Sequence, residues 1–143
     1  GTFEAGATPW TTWGAARSPL KQSTFAMTGL DHSRSLRLPA RSGAGSPPIC
    51  VFENEESVRF SYRAPYAGAT LEVYIEVAND EGYAATTSYV TATSRAWDVT
   101  QVIDLPNLRD ADGRQWITIW IQPTNARGAW QVDDVMIDPW IAR

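Results

Sequence analysis

The chain is predicted to be all-β, an antiparallel sandwich or barrel, on three observations. Apolar and polar residues alternate with period two in several short runs, turn-forming clusters separate those runs, and no segment holds a convincing helical stripe. Ser35-Leu36-Arg37-Leu38 is the first clear strand. Val58-Arg59-Phe60-Ser61-Tyr62-Arg63 puts Val58, Phe60 and Tyr62 on one face and Arg59, Ser61 and Arg63 on the other. Leu71-Glu72-Val73-Tyr74-Ile75-Glu76-Val77 alternates throughout, with its aliphatics in and Glu72, Tyr74 and Glu76 out. Trp116-Ile117-Thr118-Ile119-Trp120-Ile121-Gln122 sends the isoleucines one way and the tryptophans the other. Tyr89-Val90-Thr91 and Trp97-Asp98-Val99-Thr100 are weaker strand candidates. The stretches 13–17 and 108–111 are candidates for a single helical turn.

The separators are rich in Pro, Gly, Asn and Asp. They are Ala64-Pro65-Tyr66-Ala67-Gly68, Asn79-Asp80-Glu81-Gly82, Asp110-Ala111-Asp112-Gly113 and Asn125-Ala126-Arg127-Gly128. Pro39 to Pro48, with its Gly, Ser and Pro, reads as an exposed loop. If 58–63 and 71–77 form a hairpin, Arg63 faces Glu72 and Arg59 faces Glu76, a charge pairing that favours that register. A crossing between two sheets would cancel it.

Length bounds the organisation. The 143 residues suit one domain spanning 1–143, long enough to bury a core without staples. With 43% hydrophobic and 20% charged residues, the composition is that of a folded chain. A net charge of −4 argues against nucleic acid and anionic membranes as partners. No apolar run approaches the roughly 20 residues that span a bilayer, so no membrane insertion is expected. The chain opens at Gly1, which reads as an excised or processed domain. Cys50 is the single cysteine and excludes an internal disulfide; its setting, Pro48-Ile49-Cys50-Val51-Phe52, reads as a buried strand.

Two segments at opposite ends carry carboxylates in apolar surroundings: Phe3-Glu4-Ala5-Gly6, followed by Trp10, and Trp130-Gln131-Val132-Asp133-Asp134-Val135-Met136-Ile137. Buried carboxylates are costly unless their charge is compensated, and a hard cation such as calcium does that with oxygen ligands. Val132 and Val135 both read as core although three apart. That spacing requires a β-bulge at the aspartates, since adjacent residues of a regular strand point to opposite faces. Asp133 is the expected ligand, with Asp134 its neighbour.

The order of Phe3-Glu4, Trp10, Gly29, Ser35-Leu36-Arg37-Leu38, Phe60-Ser61-Tyr62 and Val132-Asp133-Asp134-Val135 resembles the jelly-roll carbohydrate-binding modules, which belong to the galactose-binding-domain-like β-sandwiches. The resemblance covers nearly the whole chain. It implies a jelly roll and a structural calcium held by Glu4 and an aspartate of the 133–134 pair. It also implies backbone ligands from the Gly29–Ser33 loop, which carries Asp31.

Two tryptophans on a non-core face need a reason. Indole rings stack on the apolar faces of sugar rings, while charged and amide groups bond to hydroxyls. Trp116, Trp120, Tyr74, Arg59 and Glu76 are therefore the expected saccharide-binding residues. The competing reading covers these tryptophans with a loop, such as Pro39–Pro48, or packs them in a second small core. Trp10, Trp13, Trp97 and Trp130 read as core or rim, and Trp140 as a contact with a neighbouring domain of a parent protein.

An enzyme is not expected. Glu72 and Glu76 stand about 13 Å apart along one strand, too far for a glycosidase pair. Glu53 and Glu55 read as a solvated turn, and His32, the one histidine, has no matched nucleophile. The function expected is a non-catalytic, polysaccharide-binding accessory module of a larger secreted or cell-surface protein. The alternative is a structural or adhesive domain without sugar binding, and a lyase or hydrolase is the remote third.

Overall fold

The structure, a computed structural model, describes residues 10–21 and 34–137, with side chains for 10–16 and 35–137. Glu4, Asp31, His32 and Trp140 lie outside the described residues. The described strands are β1 (Thr11–Trp13), β2 (Arg17–Lys21), β3 (Arg34–Pro39), β4 (Gly43–Gly45), β5 (Ile49–Val51), β6 (Ser57–Arg63), β7 (Thr70–Asn79), β8 (Gly82–Thr91), β9 (Asp98–Val99), β10 (Ile103–Asp104), β11 (Gln115–Pro123) and β12 (Ala129–Ile137). No helix occurs among the described residues; 13–17 forms the end of β1, a turn and the start of β2, and 108–111 is loop and turn.

Two antiparallel sheets stack face to face. The front sheet has the order β1-β4-β11-β7-β8, with β5 pairing a further stretch of β11. The back sheet has the order β10-β6-β12-β3-β2, with β9 pairing β6. The alternating runs supply the core between them. Ile117, Ile119 and Ile121 of β11 and Leu71, Val73, Ile75 and Val77 of β7 are buried from the front. Leu36, Leu38, Val58, Phe60, Tyr62, Trp130 and Val132 are buried from the back. Tyr62 and Trp130 pack with ring centroids 5.5 Å apart, and the Trp130 Nε1 donates to Asn125 Oδ1 of the β11–β12 turn at 2.7 Å.

Three local expectations change. β6 and β7 lie in different sheets, so the 64–69 connection crosses the sandwich and the pairings Arg63–Glu72 and Arg59–Glu76 do not form. The Pro39–Pro48 segment is not an exposed loop. Ser42 to Ser46 are buried, and Gly43–Gly45 is a strand between β1 and β11. Glycine-rich sequence reads as a loop by composition, yet here the missing side chains make room for neighbouring rings. Cys50 is half-buried on β5 rather than fully buried.

The β7–β8 hairpin turns tightly through Asp80-Glu81, with Asn79 opposite Gly82. The Asp110–Gly113 segment is a closed turn. Asp110 Oδ1 accepts from the backbone N–H of Asp112 at 2.9 Å and of Arg114 at 3.0 Å. These bonds, led by the one from Arg114, hold the Asp110 carboxyl below its ordinary value.

Candidate functional site

The outward face of the front sheet gathers most of the exposed aromatics among the described residues. Antiparallel register lines up Trp120 with Tyr74 and Thr87, Thr118 with Glu76 and Ala85, and Gln122 with Glu72 and Tyr89. Residues directly opposite share a face, so β11, β7 and β8 present one continuous surface. Trp116, 58% exposed, stands at one end of β11 opposite Cys50, and Phe52 is exposed just beyond β5. Trp120, half-buried, lies four residues further along β11, about 13 Å from Trp116.

β4 sets the height of this surface. Gly45 pairs with Trp120 and Gly43 with Trp13. A Cβ at Gly45 would stand 2.3 Å from the Trp120 ring, and one at Gly43 would stand 2.0 Å from the Trp13 ring. Both indoles therefore lie directly on bare backbone, as no other residue type would permit. Their centroids are 5.9 Å apart with planes tilted by 49°, which makes a two-ring shelf across β1, β4 and β11. Trp13 keeps 38% of its surface exposed.

Carboxylates and phenols fix the shelf's inner edge. Trp120 Nε1 donates to Glu76 Oε1 at 3.0 Å, and Tyr83 Oη donates to Glu76 Oε2 at 3.1 Å. Tyr83 and Tyr74 share a short hydroxyl–hydroxyl bond. That bond first, and the Glu76 carboxylate further, hold the Tyr83 phenol well above its ordinary value. Tyr89 Oη donates to Glu72 Oε2 at 3.3 Å. The outward positions of β7, β8 and β11 carry Glu72 and Glu76 and no Lys or Arg. Such a face offers stacking surfaces and hydrogen-bond acceptors to a flat, hydroxylated ligand, and it repels an anionic one.

Of the expected binding residues, Trp116, Trp120, Tyr74 and Glu76 share this face. Arg59 does not: it sits on β6 of the back sheet, because the chain crosses the sandwich between β6 and β7. Trp13, expected in the core or rim, is half of the shelf, and Tyr83 and Tyr89 belong to the face as well. The signal for Trp13 was Gly43-Ala44-Gly45, two glycines at strand spacing that could bed two rings. Only the β1–β4 pairing tells which rings they are. The tryptophans are not covered by the 39–48 segment, which lies beside them as β4.

Glu53 and Glu55 are not an extended pair. Glu55 folds back in a turn, its Oε2 accepting from the Phe52 N–H at 2.8 Å.

On the back sheet, β12 carries the expected bulge. Asp133 pairs with Ser61 and Met136 with Arg59, so the chain gains one residue between them. Asp134 takes up the extra residue with φ 48°. Val132 and Val135 consequently both reach the core. At the bulge each carboxylate has a neighbouring polar group. Asp134 N–H donates to Asp133 Oδ1 at 2.8 Å, and Asp134 Oδ2 lies 3.5 Å from the Ser61 hydroxyl. Asp133 is 0% and Asp134 1% exposed. Among the described residues, no group of three or more His, Cys, Asp or Glu side chains lies together.

Solved structures share this arrangement of strands over nearly the whole chain. The carbohydrate-binding module TmCBM61, solved with β-1,4-galactotriose, superposes with a TM-score of 0.57 at 18% identity, over 96% of this chain and 94% of that one. The fold is a jelly-roll β-sandwich. A family 11 carbohydrate-binding module from Clostridium thermocellum, solved with a β-1,3-1,4-mixed-linked tetrasaccharide, matches with a TM-score of 0.56 at 11% identity, over 93% and 90% of the two chains. The jelly roll is also similar to the K1 adhesin domain of Lys-gingipain from Porphyromonas gingivalis W83, with a TM-score of 0.57 at 15% identity and 94% of each chain covered. No protein-family model and no curated protein matches the chain.

Proposed function

We propose that this protein is a non-catalytic carbohydrate-binding module. It holds a neutral glycan against the outward face of the front sheet, as an accessory domain of a larger secreted or cell-surface protein. The observation that carries the reading is the Trp13–Trp120 shelf, bedded on Gly43 and Gly45 and edged by Glu76. Exposed indole faces in water are costly unless a ligand covers them, and a pyranose ring has the apolar face that suits them. Trp116 supplies a second stacking position further along β11, and Gln122, Thr118 and Glu72, which share the outward face, would offer hydrogen bonds to ring hydroxyls. The absence of Lys and Arg from these strands' outward positions favours neutral sugars over polyuronates. Two of the similar folds were solved with oligosaccharides.

The likeness to an adhesin domain supports a second reading, an adhesive module that uses the same face on a protein. A glycan array followed by calorimetry separates the two. Binding of a neutral oligosaccharide that is lost in Trp120→Ala supports the first. An array without hits leaves the second.

We also propose a structural calcium at the β12 bulge. Two adjacent, buried carboxylates on one bulge are a hard-oxygen donor pair that suits calcium. Asp133 and Asp134 would hold the ion from the described part of the chain, with Glu4 and Asp31 the expected contributors from outside it. Bound there, calcium would neutralise the pair and tie β12 to the N-terminal segment. Its role would be stability, since the bulge and the aromatic face lie on different sheets.

A further inference from the structure

β8 is the outer strand of the front sheet, and its far edge pairs with no described strand. Proteins usually protect such an edge with charge, proline, a bulge or a short strand. β8 has none of these. It runs ten residues, Gly-Tyr-Ala-Ala-Thr-Thr-Ser-Tyr-Val-Thr, with ten unbroken pairs to β7. The back sheet offers no cover. Its facing edge is made of β9 and β10, two residues each, and a cleft of about 860 Å³ opens between that edge and Thr86, Ser88 and Val90.

We propose that this edge is a two-fold contact with a second copy of the chain, β8 pairing antiparallel with β8. One register satisfies the strand's own residues on both faces. With Thr86 opposite its twin, Ala84 meets Ser88, Ala85 meets Thr87, and Tyr83 meets Tyr89 of the other copy. Thr86 Oγ1 is buried and has no hydrogen-bond partner among the described residues. In this register a χ1 rotation would turn each Thr86 hydroxyl from its covered position toward its twin, and Thr–Thr pairs bond across strands. Tyr83 and Tyr89, 59% and 60% exposed, become cross-strand aromatic pairs on the outward face. The ends are complementary in charge. The acidic turn Asp80-Glu81 precedes β8 and exposed Arg95 follows it, so antiparallel pairing brings one copy's acidic end to the other's basic end. Within β8 there is no charge to repel.

The contact does not rest on the glycan reading, but it has a consequence for it. The two front sheets become one continuous sheet with both tryptophan shelves on the same side, so a polymeric glycan could engage both copies and gain avidity. A single-strand contact is small, so association is weak and depends on concentration. Salt screens both the attraction between the complementary ends and the repulsion between copies that each carry a net charge of −4.

Disulfide trapping tests the register. In a Cys50→Ser background, Thr86→Cys places two thiols at directly opposite positions, where Cα separations of about 4.5–5.5 Å suit a disulfide. Ser88→Cys is the control, since the register sets its two copies roughly 13 Å apart. Under mild oxidation T86C is expected to give covalent dimer about tenfold faster than S88C, with wild-type apparent mass rising with concentration in sedimentation. Should T86C not fold, the Ala84→Cys/Ser88→Cys double variant carries the same test, because the register opposes those positions. T86C and S88C cross-linking at equal rates would refute the register. A wild-type mass fixed at the 15.8 kDa of one chain at every concentration would refute the second copy as occupant and leave the edge to a peptide or glycan.

Discussion

Replacing Gly45 with alanine puts a methyl group under Trp120, and the structure sets the size of the effect. The new Cβ would stand 2.3 Å from the ring, so the indole must lift by more than an ångström to reach ordinary contact. A shift of that size breaks the 3.0 Å bond from Trp120 Nε1 to Glu76 and separates the ring from Trp13. A hydrogen bond to a charged acceptor contributes about 1.5–3 kcal/mol, toward the low end at a half-exposed site. Alanine returns roughly 0.5–1 kcal/mol by stiffening a strand position held by glycine. The net loss is therefore about 1 kcal/mol of stability. The effect on glycan affinity is larger in proportion, because displacing a central aromatic anchor costs about 2 kcal/mol, or roughly 30-fold in Kd. Denaturant unfolding followed by tryptophan fluorescence gives the first number and calorimetry with a bound oligosaccharide the second. A double-mutant cycle decides the cause. In a Trp120→Ala background the methyl meets no ring, so Gly45→Ala should not destabilise there and should return the roughly 0.5–1 kcal/mol of the stiffer strand. Equal destabilisation in both backgrounds would refute the ring contact as the reason.

Three further outcomes follow from the geometry. Trp116→Ala should change stability by no more than about 0.5 kcal/mol, because its ring is largely exposed, yet weaken binding of longer oligosaccharides; parallel melts and titrations check it. Asp110→Asn should destabilise the β10–β11 turn at neutral pH. The folded carboxyl is held below its ordinary value, so its contribution is present above the unfolded value and disappears as pH falls through the folded one; wild type and variant should melt alike in acid. Chelator should lower the melting temperature and calcium restore it by mass action, with Asp133→Asn insensitive to both; a wild type indifferent to calcium and chelator would end the ion proposal.

The two sheets were legible because period-two alternation leaves little freedom once one face is buried. Leu71–Val77 and Trp116–Gln122 face as their pattern required. The bulge on β12 was legible for the same reason, since Val132 and Val135 cannot both reach the core of a regular strand. Arg59 was misplaced because alternation says which face a side chain takes and nothing about which sheet its strand joins. A short Pro-Gly connection serves a hairpin and a crossing equally well. The Gly43–Gly45 strand was hidden because glycine signals a loop by propensity, and its partners Trp13 and Trp120 are distant in sequence.

Local chemistry thus told the class of fold, the inward residues, the acidic bulge and the two outward tryptophans of β11. Long-range pairing settled the rest: which strands became neighbours, that Trp13 lies beside Trp120, that Glu76 anchors it, and that no described strand pairs with the outer edge of β8. The division has a physical origin. Side-chain direction follows from the dihedrals of one strand, whereas strand neighbours follow from packing the whole core at once, and no local run of residues carries that information.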